Sequence, residues 1–291
     1  MSHTTDEIHS QPEIWREAAE LATQIEPLWE PGESLAIVGC GTSWFVAQAI
    51  AALRESVGEG ITDAVTATEF SASRTYDRVI ALSRSGTTTE IIDVLRALEP
   101  TETRTTLITA VGDGPAAAHA DREVVLDFAD ETSVVQTRFA TSALTFMRTH
   151  LEDVGQSLAD CTEALETPLP QEWVDASQIT FLGTGWTYGL AQEAGLKLRE
   201  AAQSWTESYY AMEYRHGPIS IAEPGRLVWV FGPVPEGLDA QVADTGATLV
   251  TSELDPLAHL VIAQRLAVAR AEANGLDPDQ PRHLTRSVIL S

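Results

Sequence analysis

The sequence predicts an α/β protein built from parallel sheets that are flanked by helices. Short, continuous apolar runs alternate with longer segments of helical spacing from Leu35 onward. Such alternation is typical of parallel sheets with right-handed crossovers. A strand, a glycine-containing turn and a helix follow one another at residues 35–53 and again at residues 179–202. This weak internal duplication predicts two similar lobes.

Composition and charge argue against several classes of protein. Hydrophobic residues make up 44% of the 291 residues, which favours a globular chain. No apolar run approaches the roughly 20 residues of a membrane span. The net charge of −25 argues against partners such as nucleic acid or an anionic membrane, because both need a basic surface. The polar, acidic start of the chain and the two distant cysteines, Cys40 and Cys161, predict a cytoplasmic protein with reduced thiols.

The first lobe is predicted to follow an amino-terminal helix at residues 12–30, which Pro31-Gly32 ends. The predicted strands are Leu35–Val38, Ala64–Thr68, Arg78–Leu82, Thr105–Ala110 and Val124–Leu126. Helices are expected after the first of these strands to about Leu53, after the third through Leu98, and over residues 134–166 with a weak break at Gly155.

A linker marked by Pro168 and Pro170 precedes the second lobe. Its predicted strands are Ile179–Leu182, Leu227–Phe231 and Thr248–Thr251, and its predicted helices are Leu190–Ala202 and Pro256–Ala273. We therefore predict a helical segment at residues 1–30, a first domain at 31–166 with a phosphate-binding loop, and a second domain at 167–291 with a catalytic helix and a carboxyl-terminal tail.

Two polar turns carry the first chemical signal. Ser83–Glu90 (SRSGTTTE) and Gly39–Ser43 (GCGTS) each stand between a buried strand and the start of a helix. Free N–H groups at a helix start, together with hydroxyl donors, suit a phosphate monoester. An ordinary capped turn is the commoner fate of such patterns. The turns lack a Walker lysine and the full dinucleotide fingerprint, so nucleotide cofactors are disfavoured.

The helix at 190–202 carries the second signal. Glu193, Lys197 and Glu200 share one helix face, and Lys197 is the only lysine in the chain. The pattern leaves open a solvated salt-bridge ladder or a functional site. His216, beside Gly217-Pro218, is either a structural residue or a positioned acid–base group, and the pattern alone favours the structural role.

Together these stretches resemble the sugar isomerase (SIS) domain family in its tandem form. The first lobe matches by GCGTS at 39–43 and SRSGTTTE at 83–90. The second resembles the isomerase half of glucosamine-6-phosphate synthase through GTG at 183–185, EAGLKLRE at 193–200, EYRHGP at 213–218 and DQPRHLTRSV at 279–288. The resemblance implies two SIS domains, each a flavodoxin-like parallel sheet between helices in three α/β/α layers.

The resemblance also implies a site for a small-molecule phosphosugar. Its substrate- and phosphate-binding positions are Gly41, Thr42, Ser43, Ser83, Arg84, Ser85, Thr88 and Arg286, with Glu193 and Gln136 in support. Glu200 matches the carboxylate that moves a proton between C1 and C2, and Lys197 matches the active-site lysine. His216 matches a ring-opening histidine that the partner subunit supplies, so a homodimer with shared active sites is expected. No metal or organic cofactor is required.

Several departures from the synthase pattern limit what can be carried over. No glutaminase domain precedes the first lobe, so we do not expect this chain alone to be a complete glutamine-dependent aminotransferase. Arg286 stands where the synthase has its imine-forming lysine, and a guanidinium with a pKa above about 12 cannot form an imine. The second lobe has Phe231-Gly232-Pro233-Val234-Pro235 in place of a serine-rich loop, which predicts one phosphate site per chain.

Three functions remain open at this point. The leading one is a phosphosugar isomerase that acts on a hexose or amino-hexose 6-phosphate. A close variant is an amino-sugar-phosphate deaminase or deglycase, and a different class is a non-catalytic phosphosugar-binding regulator. A Schiff base on Lys197 is a fourth, weaker interpretation, because two flanking carboxylates favour the protonated amine.

Overall fold

The structure is a computed structural model that describes residues 2–290. The chain divides into two compact units. The first lobe comprises Glu13–Val154 together with the segment from Thr285 onward, and the second lobe comprises the residues up to Pro12 together with Gly155–Leu284. Helix α1 (His3–Gln24) therefore contributes residues to both. The predicted division at residues 1–30, 31–166 and 167–291 stays a prediction.

The first lobe is a parallel sheet with helices. Its elements are β1 (Leu35–Gly39), α2 (Thr42–Ser56), β2 (Thr62–Thr66), β3 (Arg78–Leu82), α3 (Thr89–Leu98), β4 (Arg104–Thr109), β5 (Arg122–Val125) and α4 (Arg138–Arg148). Within residues 2–290 this sheet has five strands in the order β2-β1-β3-β4-β5, all pairs parallel. That order is the flavodoxin-like one.

Apolar side chains on both faces of the central strands fix this arrangement. Strand β1 is buried along its whole length, as expected for a strand covered by helices on both sides. Ala36 and Val38 pack in one cluster with Ile91 and Leu95 of α3. At the end of β1, a Cβ on Gly39 would lie 2.5 Å from the backbone carbon of Ser43, so only glycine permits this close turn into α2.

The second lobe repeats the pattern with a smaller sheet. Its elements are α5 (Gly155–Glu166), α6 (Gln171–Asp175), β6 (Gln178–Gly183), α7 (Thr187–Ala202), β7 (Thr206–Tyr210), β8 (Arg226–Phe231), α8 (Leu238–Thr245), β9 (Thr248–Val250) and α9 (Pro256–Ala273). Across the described chain this sheet has four parallel strands in the order β7-β6-β8-β9. Phe181, Trp229 and Phe231 pack with His259 of α9 in its core.

The α/β class, the parallel sheets and the three-layer arrangement are confirmed. The predicted bounds of the first helix, residues 12–30, are wrong at both ends, because α1 runs from His3 to Gln24. It begins at His3, where the amides of His3 and Thr4 donate to the carboxylate of Asp279 at 2.7 and 2.8 Å. The predicted long helix over 134–166 is also wrong. It is two helices, α4 and α5, because the chain passes from one lobe to the other at Val154.

Strand β7 and helices α6 and α8 were not predicted. Strand β7 is an edge strand that pairs with β6 alone and keeps Glu207 and three other partly or fully exposed residues, so it lacks a continuous apolar run. Among residues 2–290, no helix is long and apolar enough to cross a bilayer.

Candidate functional site

The two predicted polar turns lie at one edge of the first sheet. Strands β1 and β3 pair directly and in parallel, with Leu35 opposite Arg78. Their carboxyl ends, Gly39 and Leu82, therefore stand side by side. Gly41, at φ 54°, turns the chain into α2, a left-handed conformation that favours glycine. This is the edge at which open α/β sheets bind ligands.

A narrow cavity of about 30 Å³ opens between these turns. Its lining is Cys40, Ser43, Leu82, Ser83, Arg84, Ser85, Thr88, Ile91, Gln136 and Arg286. Seven of the predicted site residues are thus brought together around one space. Gly41 and Thr42 belong to the same turn, but within the described residues they do not line this cavity.

Hydroxyls are the commonest polar groups around the cavity, and three of the four stand on one short loop. Ser83 is 3% exposed and Ser85 is 7% exposed. The Thr87 hydroxyl lies 2.8 Å from the Ser85 hydroxyl, and the Ser83 hydroxyl lies 3.4 Å from that of Thr88. Gly86 adopts φ 63°, which lets the loop fold back before α3 begins. The arrangement presents several donors to one small anionic group.

Two polar atoms at this cavity have no hydrogen-bond partner within the chain as described. They are Nε of Arg84 and Oε1 of Gln136, and both are buried. A buried polar atom without a partner costs about 1–3 kcal/mol, so native proteins rarely keep one without a reason. A polar ligand that offers one acceptor and one donor would satisfy both atoms.

The rest of the Arg84 guanidinium is engaged by the protein. Its Nη1 atom lies 3.5 Å from a carboxylate oxygen of Glu131 and donates to the Ser133 carbonyl at 3.0 Å. Its Nη2 atom donates to the Arg286 carbonyl at 2.7 Å. The other oxygen of Glu131 accepts from the amide of Arg138 at 2.8 Å and thereby caps helix α4. Glu131 was not predicted as a site residue, and it lies 47 positions from Arg84.

Cys40 is a lining residue to which the sequence pattern gave no site function. Burial raises the pKa of its thiol, and the nearby Glu90 carboxylate raises that pKa further. The thiol is therefore a neutral, weakly polar wall of the cavity near neutral pH. Its position between Gly39 and Gly41 was the available signal, because the other polar residues of the same turn were predicted to bind ligand.

In the second lobe, α7 carries the lysine and its two carboxylates. Lys197 Nζ lies 2.5 Å from Glu200 Oε2 and 3.4 Å from Glu193 Oε1. The side chains of Lys197 and Glu193 are 1% and 2% exposed, and that of Glu200 is 19% exposed. A solvated surface ladder is therefore the wrong interpretation of this pattern. Of these three side chains, only the Glu200 carboxylate retains appreciable access to solvent.

His216 differs from this buried triad in its exposure. It ends a short 3₁₀ turn, Glu213–His216, and is exposed. Gly217 follows at φ 141°, a conformation that favours glycine. Beneath the turn, Tyr214 is fully buried, and burial raises the pKa of its phenol to about 12. The imidazole thus stands on a fixed turn and faces outward.

The corresponding edge of the second sheet is organised differently. Gly185 adopts φ 56°, close to the value of Gly41, and α7 begins two residues later. The Thr187 hydroxyl accepts from the Thr184 amide at 2.9 Å and lies 2.9 Å from the Phe231 carbonyl, to which it donates. This hydroxyl therefore holds the turn to strand β8. Across residues 2–290, no three His, Cys, Asp or Glu side chains are placed to hold a metal ion.

Comparison with known proteins also distinguishes the two lobes. A profile of the SIS domain matches residues 28–151, which lie in the first lobe. The second lobe is not part of the match, so the prediction of two SIS domains is not confirmed, and the similarity to a SIS domain is limited to residues 28–151.

The chain as a whole is also similar to larger and equally sized proteins. It is 24% identical to glutamine–fructose-6-phosphate aminotransferase [isomerizing] from Sulfurisphaera tokodaii, over 98% of this chain and 56% of that protein. The chain thus spans about half the length of the curated relatives it matches.

Two solved structures share its fold. Glucosamine-6-phosphate deaminase from Thermotoga maritima has a TM-score of 0.83 at 24% identity, covering 99% of this chain and 100% of that one. The carboxyl-terminal domain of glucosamine-fructose-6-phosphate aminotransferase from Francisella tularensis has a TM-score of 0.80 at 22% identity, covering 97% and 98%. At this identity the likeness establishes the fold of the chain.

Proposed function

We propose that this protein is a phosphosugar isomerase that acts on a hexose or amino-hexose 6-phosphate. The observation that carries the proposal is the cavity at the carboxyl edge of β1 and β3, where Ser43, Ser83 and Ser85 converge within the SIS-matching stretch. The phosphorylated substrates in the names of the related proteins support the same ligand class.

The phosphoryl group binds at the hydroxyl-rich loop in this proposal. A net charge of −25 opposes anions in general, so the site must attract phosphate locally. Ser83, Ser85 and Thr88 provide hydroxyl donors, the start of α3 provides its dipole, and Arg286 adds a positive charge at the cavity wall. Neutral donors hold the phosphate without the desolvation cost of burying additional charges.

Glu200 is the proposed proton shuttle. An aldose–ketose shift requires one base that takes a proton from C2 or C1 and returns it to the neighbouring carbon of the same enediol, and a single carboxylate can do both. Glu200 is the member of the buried triad that is open to solvent, and Lys197 holds its Oε2 atom at 2.5 Å. That contact fixes the carboxylate and leaves the second oxygen to act as the base.

Lys197 acts as an electrostatic partner in this mechanism and does not form an imine. Contacts to Glu200 and Glu193 favour its ammonium form, which is not nucleophilic. His216 is the proposed ring-opening acid–base group and acts in a homodimer on the site of the partner subunit. Its exposure on a fixed turn supports a role outside its own lobe.

A deaminase or deglycase is the second candidate, because the same proton shuttle applies to an amino sugar that then loses ammonia. The structural likeness to a glucosamine-6-phosphate deaminase favours keeping it. A regulator that binds phosphosugars without chemistry is the third candidate, and the buried, charged triad on α7 argues against it, because pure binding does not need one.

Proton exchange in deuterated water tests the proposal. The purified chain is incubated with fructose, glucose and glucosamine 6-phosphates, and deuterium entry at C1 and C2 is followed by NMR. We expect exchange with at least one phosphosugar and none with the unphosphorylated sugars. Ammonia release with glucosamine 6-phosphate would identify a deaminase. Saturable binding without exchange would contradict catalysis and identify the regulator, and borohydride trapping of substrate on Lys197 would contradict its assigned role.

A further inference from the structure

Arg84 connects three segments of the first lobe at the phosphosugar cavity. It is 2% exposed and stands in the loop after β3. Its guanidinium reaches the Glu131 carboxylate, the Ser133 carbonyl and the backbone carbonyl of Arg286. The first two acceptors belong to the segment before α4, and the third belongs to the carboxyl-terminal tail. One buried side chain therefore joins its own loop to both of these segments.

The tail is attached to the same loop by further contacts. The Thr87 hydroxyl lies 3.0 Å from that of Ser287, and the amide of Thr89 donates to the Val288 carbonyl at 3.3 Å. The amide of Leu290 donates to the Thr89 hydroxyl at 2.9 Å. Except for Ser287, the described tail residues from Thr285 onward are exposed, so little apolar burial holds them. Polar contacts therefore keep the tail in place, and the one from Arg84 comes from a side chain that is itself buried.

The Arg286 side chain lines the cavity only when the tail backbone keeps the position described above. Its guanidinium also pairs with Asp130, and both side chains are about two-fifths exposed, at 40% and 41%. Exposed ion pairs contribute little to stability, so this pair cannot fix the tail by itself. The contact from the buried Arg84 side chain to the Arg286 carbonyl holds the tail backbone directly at this residue.

We propose that Arg84 is a positioning residue that holds the tail so that Arg286 faces the phosphoryl group. We assign it this role because both terminal nitrogens of its guanidinium donate to protein acceptors, which leaves its buried Nε atom as the group that can still meet a ligand. The inference rests on the proposed phosphosugar site, which it deepens by assigning the residue that sets the position of its cation.

The planar shape of the guanidinium explains why arginine is needed. Its N–H groups point in fixed, divergent directions and reach acceptors in both neighbouring segments at once. A lysine at this position has one nitrogen and cannot bridge the Ser133 and Arg286 carbonyls with the same geometry. Arg84→Lys is therefore expected to retain the positive charge opposite Glu131 and to lose the hydrogen bond to the Arg286 carbonyl.

The test combines hydrogen exchange with ligand titration in the full chain. Arg84→Gln removes one cation from the buried Glu131 carboxylate, so it is made together with Glu131→Gln, which keeps an oxygen to cap α4. In this pair, and in Arg84→Lys, we expect the Leu290 amide to exchange at least tenfold faster than in the wild type. Arg96→Gln removes an exposed ion pair with Asp93 in the same lobe and should leave the exchange rate unchanged.

Titration with the phosphosugar that the exchange assay identifies, or with inorganic phosphate, gives the second readout. We expect the Kd to rise about tenfold in Arg84→Lys, with kcat little changed, because Glu200 is untouched. Arg286→Gln should weaken binding to a similar extent. The chain with both substitutions should lose no more affinity than the single variant with the larger loss, since one residue acts through the other.

Two results would overturn the proposal: wild-type exchange at Leu290 in both Arg84 variants, or multiplied losses of affinity in the doubly substituted chain. If the wild type binds no phosphosugar and no phosphate, the proposed function fails, and the exchange measurement alone still decides whether Arg84 holds the tail. If Arg84→Gln/Glu131→Gln unfolds, the exchange rate at Leu290 in Arg84→Lys decides by itself, and a wild-type rate there overturns the proposal.

Discussion

The carboxyl edges of the two sheets have the same backbone plan and different side chains. At each edge a glycine ends the first strand of the lobe, β1 or β6, close to the start of the following helix. A Cβ would lie 2.5 Å from the helix backbone at Gly39 and 2.4 Å from it at Gly183. In the first lobe the next strand leads into a hydroxyl-rich loop and a cavity. In the second lobe it leads into Phe231 and a glycine–proline loop, and the Thr187 hydroxyl binds the Phe231 carbonyl.

The glycine turn is thus common to both edges, whereas hydroxyls that face a cavity, which we propose as the phosphate site, occur at the first edge. The second lobe keeps the scaffold and places its chemical groups elsewhere, on the face of α7 around Lys197. The proposed function assigns phosphoryl binding to the edge of the first sheet and proton transfer to Glu200 on α7, and this assignment is the division of labour that the following predictions test.

The largest expected effect separates binding from chemistry. Glu200→Gln keeps the shape of the side chain but removes the base, and general acid–base groups contribute about 10²- to 10⁴-fold to rate. We expect C1–C2 exchange to fall by that factor while phosphosugar affinity changes less than threefold. Glu253→Gln, at a glutamate of the same lobe outside the triad, is the matched control. Full activity in Glu200→Gln would remove this carboxylate from the mechanism.

The second prediction concerns the stability of the α7 triad. Lys197→Met leaves Glu193, 2% exposed, without this cation, and breaking a buried pair costs about 3–5 kcal/mol. We expect urea unfolding to show a loss of this size. Lys197→Met with Glu193→Gln removes both charges and should recover at least half of the loss. An unchanged midpoint in Lys197→Met would show that the pair is not an energetic unit.

A smaller effect concerns the pH dependence of the second-lobe core. Burial lowers the pKa of His259 to about 3, in a site stacked on Trp229. The unfolded chain binds this proton near pH 6.5, so the free energy of unfolding falls as pH drops from about 6.5 toward 3, by roughly 1.4 kcal/mol per unit. His259→Leu should flatten that slope in urea titrations between pH 7 and 5.

His9→Leu, at an exposed histidine, serves as the control and should keep the wild-type slope. If His259→Leu also keeps the full wild-type slope, the acid sensitivity comes from other groups, and the second-lobe core is not the acid-labile part of the protein.

Local pattern was sufficient to predict most of the fold. Strand β3 and helix α9 were placed with correct bounds, because a run such as RVIAL and an apolar helix after Asp255-Pro256 leave little alternative. Strand β7 was not predicted, because an edge strand can form without a continuous apolar run. The break between α4 and α5 was not predicted, because it occurs where the chain leaves one lobe and enters the other, and no short sequence segment encodes that change.

The site was partly predictable for the same reason. The hydroxyl loop and the α7 face are local patterns, so the sequence predicted their residues. The sequence did not predict whether the α7 face is buried or exposed. The pattern ExxxKxxE is identical on a surface and in a core, and packing of α7 against α9 buries this one. The partnership of Arg84 with Glu131 and with the tail joins residues 47 and 202 positions apart, and spacing alone carries no signal for it.

The most direct test of the division of labour compares one hydroxyl from each edge. Ser85→Ala removes a donor at the first cavity, and Thr187→Val removes the hydroxyl that binds Phe231 in the second lobe. A hydrogen bond to a charged group contributes about 1.5–3 kcal/mol, so Ser85→Ala should weaken phosphosugar binding at least tenfold in calorimetric titration. Thr187→Val should lower stability by about 1–3 kcal/mol and leave the Kd unchanged. Equal losses of affinity in both variants, or a loss in Thr187→Val alone, would contradict the account.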